Sequence, residues 1–347
     1  VVGVTTTNAE ALDLSALTRH LAGVGVARQG QLRAELISGG RSNLTYLIFD
    51  DVSTWVLRRP PFHGVTPSAH DMSREYLVVS ALASTDIPVA RPVTMCQDES
   101  VLGAPFTLVE YVVGQVIRTQ TELDAIGSDS VVRDCAYGLI DVLAALHQVD
   151  PVSVGLGDWA RSDGYLQRQI RRWGSQWELI REPGDPRDED VRRLHARLAE
   201  SVPPQSATTI VHGDYRIDNT ILESSAPHRV RAVVDWEMST LGDPLADVAL
   251  MCVYRDPVFD LVIGTDAAWT SSRLPSADEM AQRYATVSSM PLQHWNFHLA
   301  LGYFKVAIIA AGIAHRRGSN DGVVDVADDA VSPLITTGLR HLGRSRG

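Results

Sequence analysis

Apolar and polar positions alternate along this chain in two successive registers. LDLSALTRHLA (12–22) has helical spacing, with Asp13 or Ser15 as its cap. Short strand-like runs follow at 33–38, 43–49 and 54–60, the first two joined through Gly39-Gly40. A helix is expected over about 71–83, then strands at 91–96 and 106–111. Beyond Gly114 the pattern turns mainly helical. In 131–149 it puts Val132, Ala136, Leu139, Leu143 and Leu146 on one face, and in 164–180 Leu166, Ile170, Trp173 and Trp177. Residues 181–193 read as a loop leading into a further helix, and a strongly apolar helix runs from Trp295 to Ala314. Strands giving way to helices predict an α+β fold in two lobes: a small antiparallel-sheet lobe over 1–113 and a larger, mainly helical one over 114–347.

The middle of TIVHGDYRIDNTILE (209–223) breaks this pattern, because His212, Asp214, Arg216, Asp218 and Asn219 are flanked by apolar residues on both sides. Burying so many polar groups costs several kcal/mol unless each finds a partner. Downstream, VRAVVDWEMSTLGDPLADVALM (230–251) starts as a buried strand and ends it with Asp235. Asp214, the Asn219 amide oxygen and Asp235 are three hard oxygen donors, a set suited to Mg²⁺ shared between protein and substrate phosphates. A metal hydrolase built on His212, Asp214 and His228 is a third-rank reading, since SSAPHR (224–229) looks like a solvent turn.

Composition narrows the classes. A net charge of −11 argues against a nucleic-acid partner. Cys96, Cys135 and Cys252 are far apart and form no CxxC pattern, so a reducing compartment without structural zinc is expected. The first residues lack a basic start followed by an apolar run, and the apolar stretch 299–314 is short for a bilayer and carries Lys305, the only lysine. A cytoplasmic protein with no membrane partner is the expectation; the sequence leaves the oligomeric state open.

The D-x4-N spacing, with a strand-borne Asp 16 residues later, resembles the catalytic and metal-binding segments of the protein-kinase superfamily. In detail it is similar to the aminoglycoside-phosphotransferase branch, in which HGD…N replaces HRD…N. The resemblance implies that Asp214 orients the acceptor hydroxyl and accepts its proton, and that Asn219 and Asp235 hold Mg²⁺ at the nucleotide phosphates. Arg216 matches a position that is basic in many kinases; it could neutralise the moving phosphoryl group or pair with a local acid such as Asp218. ISGGRSNLTYLI (37–48), with Gly39, Gly40, Ser42 and Asn43, lies where a phosphate-covering loop belongs, although a Gly-Gly hairpin also has a purely steric use. Arg58 occupies the usual lysine position and Glu75 that of its helix partner; a plain surface ion pair is the competing reading. The Glu110 carbonyl and the Val112 N–H are placed at the adenine edge by position alone.

Two absences favour a small-molecule kinase over a protein kinase. Gly213 stands where protein kinases carry an arginine, and GDPLADVA follows Asp235 too closely for an activation loop. In that segment Asp243 and Asp247 are expected to fix backbone near the site. The span 161–197 holds nine arginines against seven acids. Arg168, Arg171 and Arg172 share a helix face opposite Trp173 and Trp177, either as a solvated surface or, together with Trp173, as contacts to an anionic substrate. VLRRPP, GYLQRQIRRW and VVDWEMSTLGDPLADVALM resemble most closely the kinase-like domain associated with acyl-CoA dehydrogenases. That implies an ATP-dependent (or GTP-dependent) transfer to a small-molecule hydroxyl, as in a hydroxyacyl compound or its CoA thioester. An aminoglycoside acceptor is the alternative. A nucleotide-binding pseudokinase is the alternative of another class, supported by Arg58 alone.

Overall fold

The computed structural model describes residues 12–39, 44–60, 72–321 and 326–344; the expectations for Gly40, Ser42 and Asn43 lie outside them. The chain separates into two compact units, 1–113 with 231–237 and 114–230 with 238–347.

The first unit contains α1 (Leu14–Gly23), β1 (Arg33–Gly39), β2 (Leu44–Phe49), β3 (Thr54–Arg59), α2 (Met72–Leu82), β4 (Pro92–Cys96), α3 (Glu99–Leu102) and β5 (Phe106–Glu110). Asp13 caps α1, its carboxylate accepting from the Ala16 N–H at 2.9 Å. The strands form one antiparallel sheet in the order β1-β2-β3-β5-β4. One face closes over α1 and α3, with Leu17, Leu21, Ile48, Leu57, Phe106 and Leu108 in the core. Strand alternation decides the fate of two neighbouring arginines on β3. Arg59 points inward with Trp55 and Leu57 and gives an N–H to the Leu102 carbonyl at 2.8 Å. Arg58 takes the opposite face.

The second unit is built from α4 (Gln120–Asp124), α5 (Asp129–Gln148), α6 (Tyr165–Ile180), α7 (Asp188–Glu200), α8 (Pro244–Val253), α9 (Phe259–Ile263), α10 (Ala277–Ser288), α11 (Trp295–Asp321) and α12 (Val331–Arg344). Two small sheets accompany them. β6 (Thr209–Val211) pairs with β9 (Thr240–Gly242), and β7 (Thr220–Glu223) with β8 (Ala226–Val233), whose last three residues belong to the first unit. The expected faces of α5 and α6 are the buried ones. α11 is buried nearly all round between 297 and 312, as a core helix is, and packs on α12, α8 and α6. It runs on to Asp321, beyond the expected end, and by length and composition it could cross a membrane. Its apolar window is 72% buried inside this unit, which answers for that composition.

Three expectations are corrected. The loop expected over 181–193 ends early, because Asp188, Glu189 and Asp190 form the first turn of α7, where acids meet the positive end of the helix dipole. The turn expected over 224–229 is shorter, since β8 already begins at Ala226. Asp235 lies two residues beyond β8 rather than at its end.

Packing also explains Gly138 in the middle of α5. A Cβ there would stand 2.1 Å from the His228 carbonyl oxygen, so only glycine lets β8 lie this close. Gly138→Ala is expected to cost about 1–3 kcal/mol, the range for overpacking, measurable by denaturant unfolding. His298 on α11 is a second sensitive point. It is buried, and its Nδ1 has no partner among the described residues. Burial lowers its pKa to about 4, with Asp243 opposing and His294 assisting. The unfolded chain, titrating near 6.5, therefore binds a proton between those values that the folded chain refuses. Stability is expected to fall as pH drops from 6.5 towards 4, by up to about 3 kcal/mol. Unfolding curves at several pH values should show that loss in the wild type and a smaller one in His298→Leu.

Candidate active site

In the first unit, Arg58 leaves β3 on the face away from the core and forms an ion pair with Glu75 in the first turn of α2. Its Nη2 also lies 3.9 Å from Asp235 Oδ1. The segment that carries Asp235 is fastened at its start by the Val233 N–H on the Pro88 carbonyl (2.8 Å) and by the Trp236 indole N–H on the Val233 carbonyl (2.9 Å). Asp235 itself has φ of 65°, a region that L residues seldom adopt and that is enriched at functional positions. Burial raises the Glu75 carboxyl above its ordinary range; Arg58 opposes this and Asp235 adds to it. One guanidinium thus faces two carboxylates, an imbalance that a cation would relieve. Glu110 closes β5 with its N–H on the Arg91 carbonyl at 2.8 Å, and Val112 follows two residues later. Gly39 is the last residue of β1, opposite Leu44.

In the second unit, β6 delivers the chain into a tight turn at His212–Asp214. Gly213 has φ of 82°, and a Cβ there would stand 2.7 Å from the Met238 carbonyl, so both conformation and space demand glycine. Side chains from distant parts of the chain hold the turn's backbone. Asp247 of α8 accepts from the His212 N–H (2.7 Å) and the Gly213 N–H (2.8 Å), as expected of an acid that fixes backbone. His147 of α5 backs Asp247 through Nε2 at 3.3 Å, while its Nδ1 meets the Tyr284 hydroxyl at 2.8 Å. His212 Nδ1 accepts from the Asp214 N–H at 3.2 Å, and Lys305 Nζ donates to the Gly213 carbonyl at 2.7 Å.

Asp214 is thereby presented with a definite set of partners. Its Oδ1 accepts from the Tyr254 hydroxyl at 2.6 Å, and its Oδ2 from Asn219 Nδ2 at 3.1 Å. Arg216 Nη2 lies 3.3 Å from the same Oδ2, and its Nε lies 3.2 Å from Asp218. The Arg216 guanidinium also covers the rings of Tyr254 and Phe259, each at 5.3 Å. Burial pushes the Asp214 pKa up, but Arg216, the Tyr254 hydroxyl, Lys305 and His212 together hold it below its ordinary value. Asp214 is an ionised carboxylate that keeps 23% of its side chain exposed, which suits a proton acceptor. Asn219 spends its amide N–H groups on Asp214, one on the backbone carbonyl at 2.7 Å, so its side-chain oxygen remains the atom for a cation. Among the described residues no group of three or more His, Cys, Asp or Glu could hold a metal alone. The Asn219 amide oxygen in this unit, and separately the Asp235 carboxylate in the first, are each a donor of the type Mg²⁺ takes beside phosphates and water.

The three arginines of α6 do not form one uniform face. Arg168 turns back to the loop before the helix, donating to the carbonyls of Asp163 and, at 2.7 Å, Arg161. Arg171 is exposed, and Arg172 lies 5.2 Å from the centre of the buried Trp173 ring. His228 sits exposed on β8 and His212 is occupied by backbone, so the hydrolase set is not assembled as a metal site. Sequence reasoning missed Tyr254 and Lys305. Tyr254 carried no local signal; Lys305 did, as the sole lysine in an apolar helix.

The model of the phosphotransferase enzyme family matches residues 33–291. Human acyl-CoA dehydrogenase family member 11 is 33% identical over 334 residues, covering 93% of this chain and 42% of that protein, so the chain spans less than half of that relative. A crystal structure from Ralstonia eutropha, named for the aminoglycoside phosphotransferases, aligns with a TM-score of 0.80 at 32% identity, covering 96% of this chain and 99% of the other. Aminoglycoside phosphotransferase APH(4)-Ia, solved with ADP and hygromycin B, shares the fold at a TM-score of 0.60 and 14% identity, covering 95% and 98%. The HGD…N segment and Asp235 both fall within the matched span, and the chain belongs to the phosphotransferase enzyme family, with the kinase-like fold of its small-molecule kinases.

Proposed function

We propose that this small-molecule phosphotransferase uses ATP, or GTP in its place, with Mg²⁺, and transfers the γ-phosphate to the hydroxyl of an anionic acceptor, a hydroxyacyl compound or its CoA thioester. The observation that carries the reading is Asp214: an ionised, partly exposed carboxylate held from both oxygens on a turn gripped by its surroundings. Asp214 takes the proton of the acceptor hydroxyl as the oxygen attacks the γ-phosphorus, the bond to the leaving nucleoside diphosphate breaking as the new P–O bond forms. Tyr254 and Asn219 fix the direction of the carboxylate, and Arg216 sets positive charge beside it. Asn219 and Asp235 are assigned to Mg²⁺, which when bound offsets negative charge on the phosphates. Arg58, anchored by Glu75, is assigned to the nucleotide phosphates; its planar fork would contact them differently from a lysine. Gly39, Gly40, Ser42 and Asn43 are assigned to the phosphate-covering loop, and Glu110 and Val112 to the base.

The anionic acceptor draws support from α6 and from the kinship with acyl-CoA dehydrogenase family members. Arg172 and Trp173 are the residues assigned to it, with Arg171 exposed on the same helix; Arg168, spent on its own loop, is left out of the assignment. A polycationic antibiotic calls for unpaired carboxylates. The acids following α6 are instead largely paired with arginines, Asp185 with Arg187, Asp188 with Arg192 and Arg181, and Asp190 with Arg193.

Thermal-shift measurements with ATP and GTP are expected to show stabilisation that is larger with Mg²⁺ and loses its Mg²⁺-dependent part in Asp235→Ala. Equal shifts with and without the metal in the wild type would remove Asn219 and Asp235 from the assignment. ADP release should then be followed with 3-hydroxybutyrate, 3-hydroxybutyryl-CoA and kanamycin as acceptors. Asp214→Asn is expected to lose about 10²–10⁴ in kcat while retaining nucleotide affinity. Arg172→Glu should raise KM for the two anionic acceptors, less so in high salt, and leave that for ATP unchanged. Preferred use of kanamycin would transfer the assignment to aminoglycosides.

A further inference from the structure

Lys305 lies in the middle stretch of α11, a core helix buried nearly all round there; it is only 8% exposed and is the single lysine among 31 lysines and arginines. A buried ammonium is costly unless its charge and its hydrogens are used. Nζ bonds the Gly213 carbonyl at 2.7 Å and stands 5.6 Å from the Trp173 ring centre. Around it a small cavity is lined by Tyr165, Gln169, Trp173, Gly213 and Asp247. The charged and titratable groups that face it are Asp214 from the turn, Asp247 from α8, and Arg172 and Tyr165 from α6. Burial lowers its pKa to about 8, Asp214 and Asp247 oppose that shift, and Arg172 adds to it.

The bond falls at an informative place. The Gly213 carbonyl and the Asp214 N–H are opposite edges of one planar peptide unit. Lys305 grips the first edge and His212 Nδ1 the second. Gly213, having no side chain, is the residue next to which such a plane rotates most easily. Holding both edges prevents that rotation immediately before the side chain of Asp214.

We propose that Lys305 is a positioning residue for phosphoryl transfer, clamping the Gly213–Asp214 peptide so that Asp214 meets the acceptor hydroxyl in a fixed direction. This rests on the reading of Asp214 as the proton acceptor. An unbranched apolar side chain of similar length, as in Lys305→Met, should be accommodated in α11. Such a variant is expected to keep its melting temperature within a few degrees and its KM for Mg·ATP within about threefold, while kcat for ADP release, with water or 3-hydroxybutyrate as acceptor, falls about 10- to 100-fold. A merely structural lysine would move stability and leave that split absent. Wild-type kcat in Lys305→Met, with Asp214→Asn inactive, overturns the role of Lys305 alone; wild-type kcat in Asp214→Asn overturns the reading of the base. A second measurement needs no turnover. Labelling with ¹⁵N-lysine gives one side-chain signal, expected to titrate near pH 8 and to shift to lower pH by at least half a unit in Asp214→Asn, where a neighbouring negative charge is lost. A midpoint that does not move between the two proteins shows an ammonium uncoupled from the turn and overturns the proposal.

Discussion

Asp247 is almost wholly buried in the second unit, where an uncompensated carboxylate would be among the costliest groups a fold can hold. Its oxygens are instead fully used, by the backbone N–H groups of His212 and Gly213 and by His147. Those bonds hold its pKa below the ordinary value although burial alone would raise it. The arrangement depends on α5, α8 and α10 together, since His147 reaches Tyr284 with its other nitrogen. The turn that presents Asp214 is therefore suspended from three helices, and the precision of the site derives from their packing.

The first unit meets a related problem in a different way. Arg58 serves two acids, Glu75 and Asp235, and the second of these sits in a backbone conformation that costs of order 1–3 kcal/mol. Strain and an excess of negative charge coincide at one residue. The segment around it is anchored through Val233 and Trp236.

Much of this was legible in the sequence because it depends on local period or fixed spacing. The helical faces of α5 and α6, the five-stranded sheet, and the D-x4-N segment with Asp235 downstream are of that kind. Two of the groups that fix the turn were not legible: Tyr254 reaches Asp214 from 40 positions away and Lys305 reaches the Gly213 carbonyl from 92, and their side chains converge only when α8 and α11 pack. Asp243 and Asp247 were recognisable as backbone-fixing acids from the turn-then-helix pattern that contains them. The arginines of α6 were read as one face by spacing alone, yet Arg168 is withdrawn by acceptors in the preceding loop. Spacing fixes where a side chain starts, and the long arginine stem leaves open where its charge ends.

That reach has a thermal consequence for α6 and α7. Arg181 and Arg192 each touch both Glu178 and Asp188, and the Trp177 indole donates to Asp188 as well. The desolvation penalty of such linked ion pairs falls as temperature rises, while hydrophobic stabilisation levels off. This pair of helices thus holds a reserve of cohesion that matters most in warm, dilute solution and least in cold brine. The balance between the two is an adjustable property of the surface, independent of the chemistry carried by the turn at Asp214.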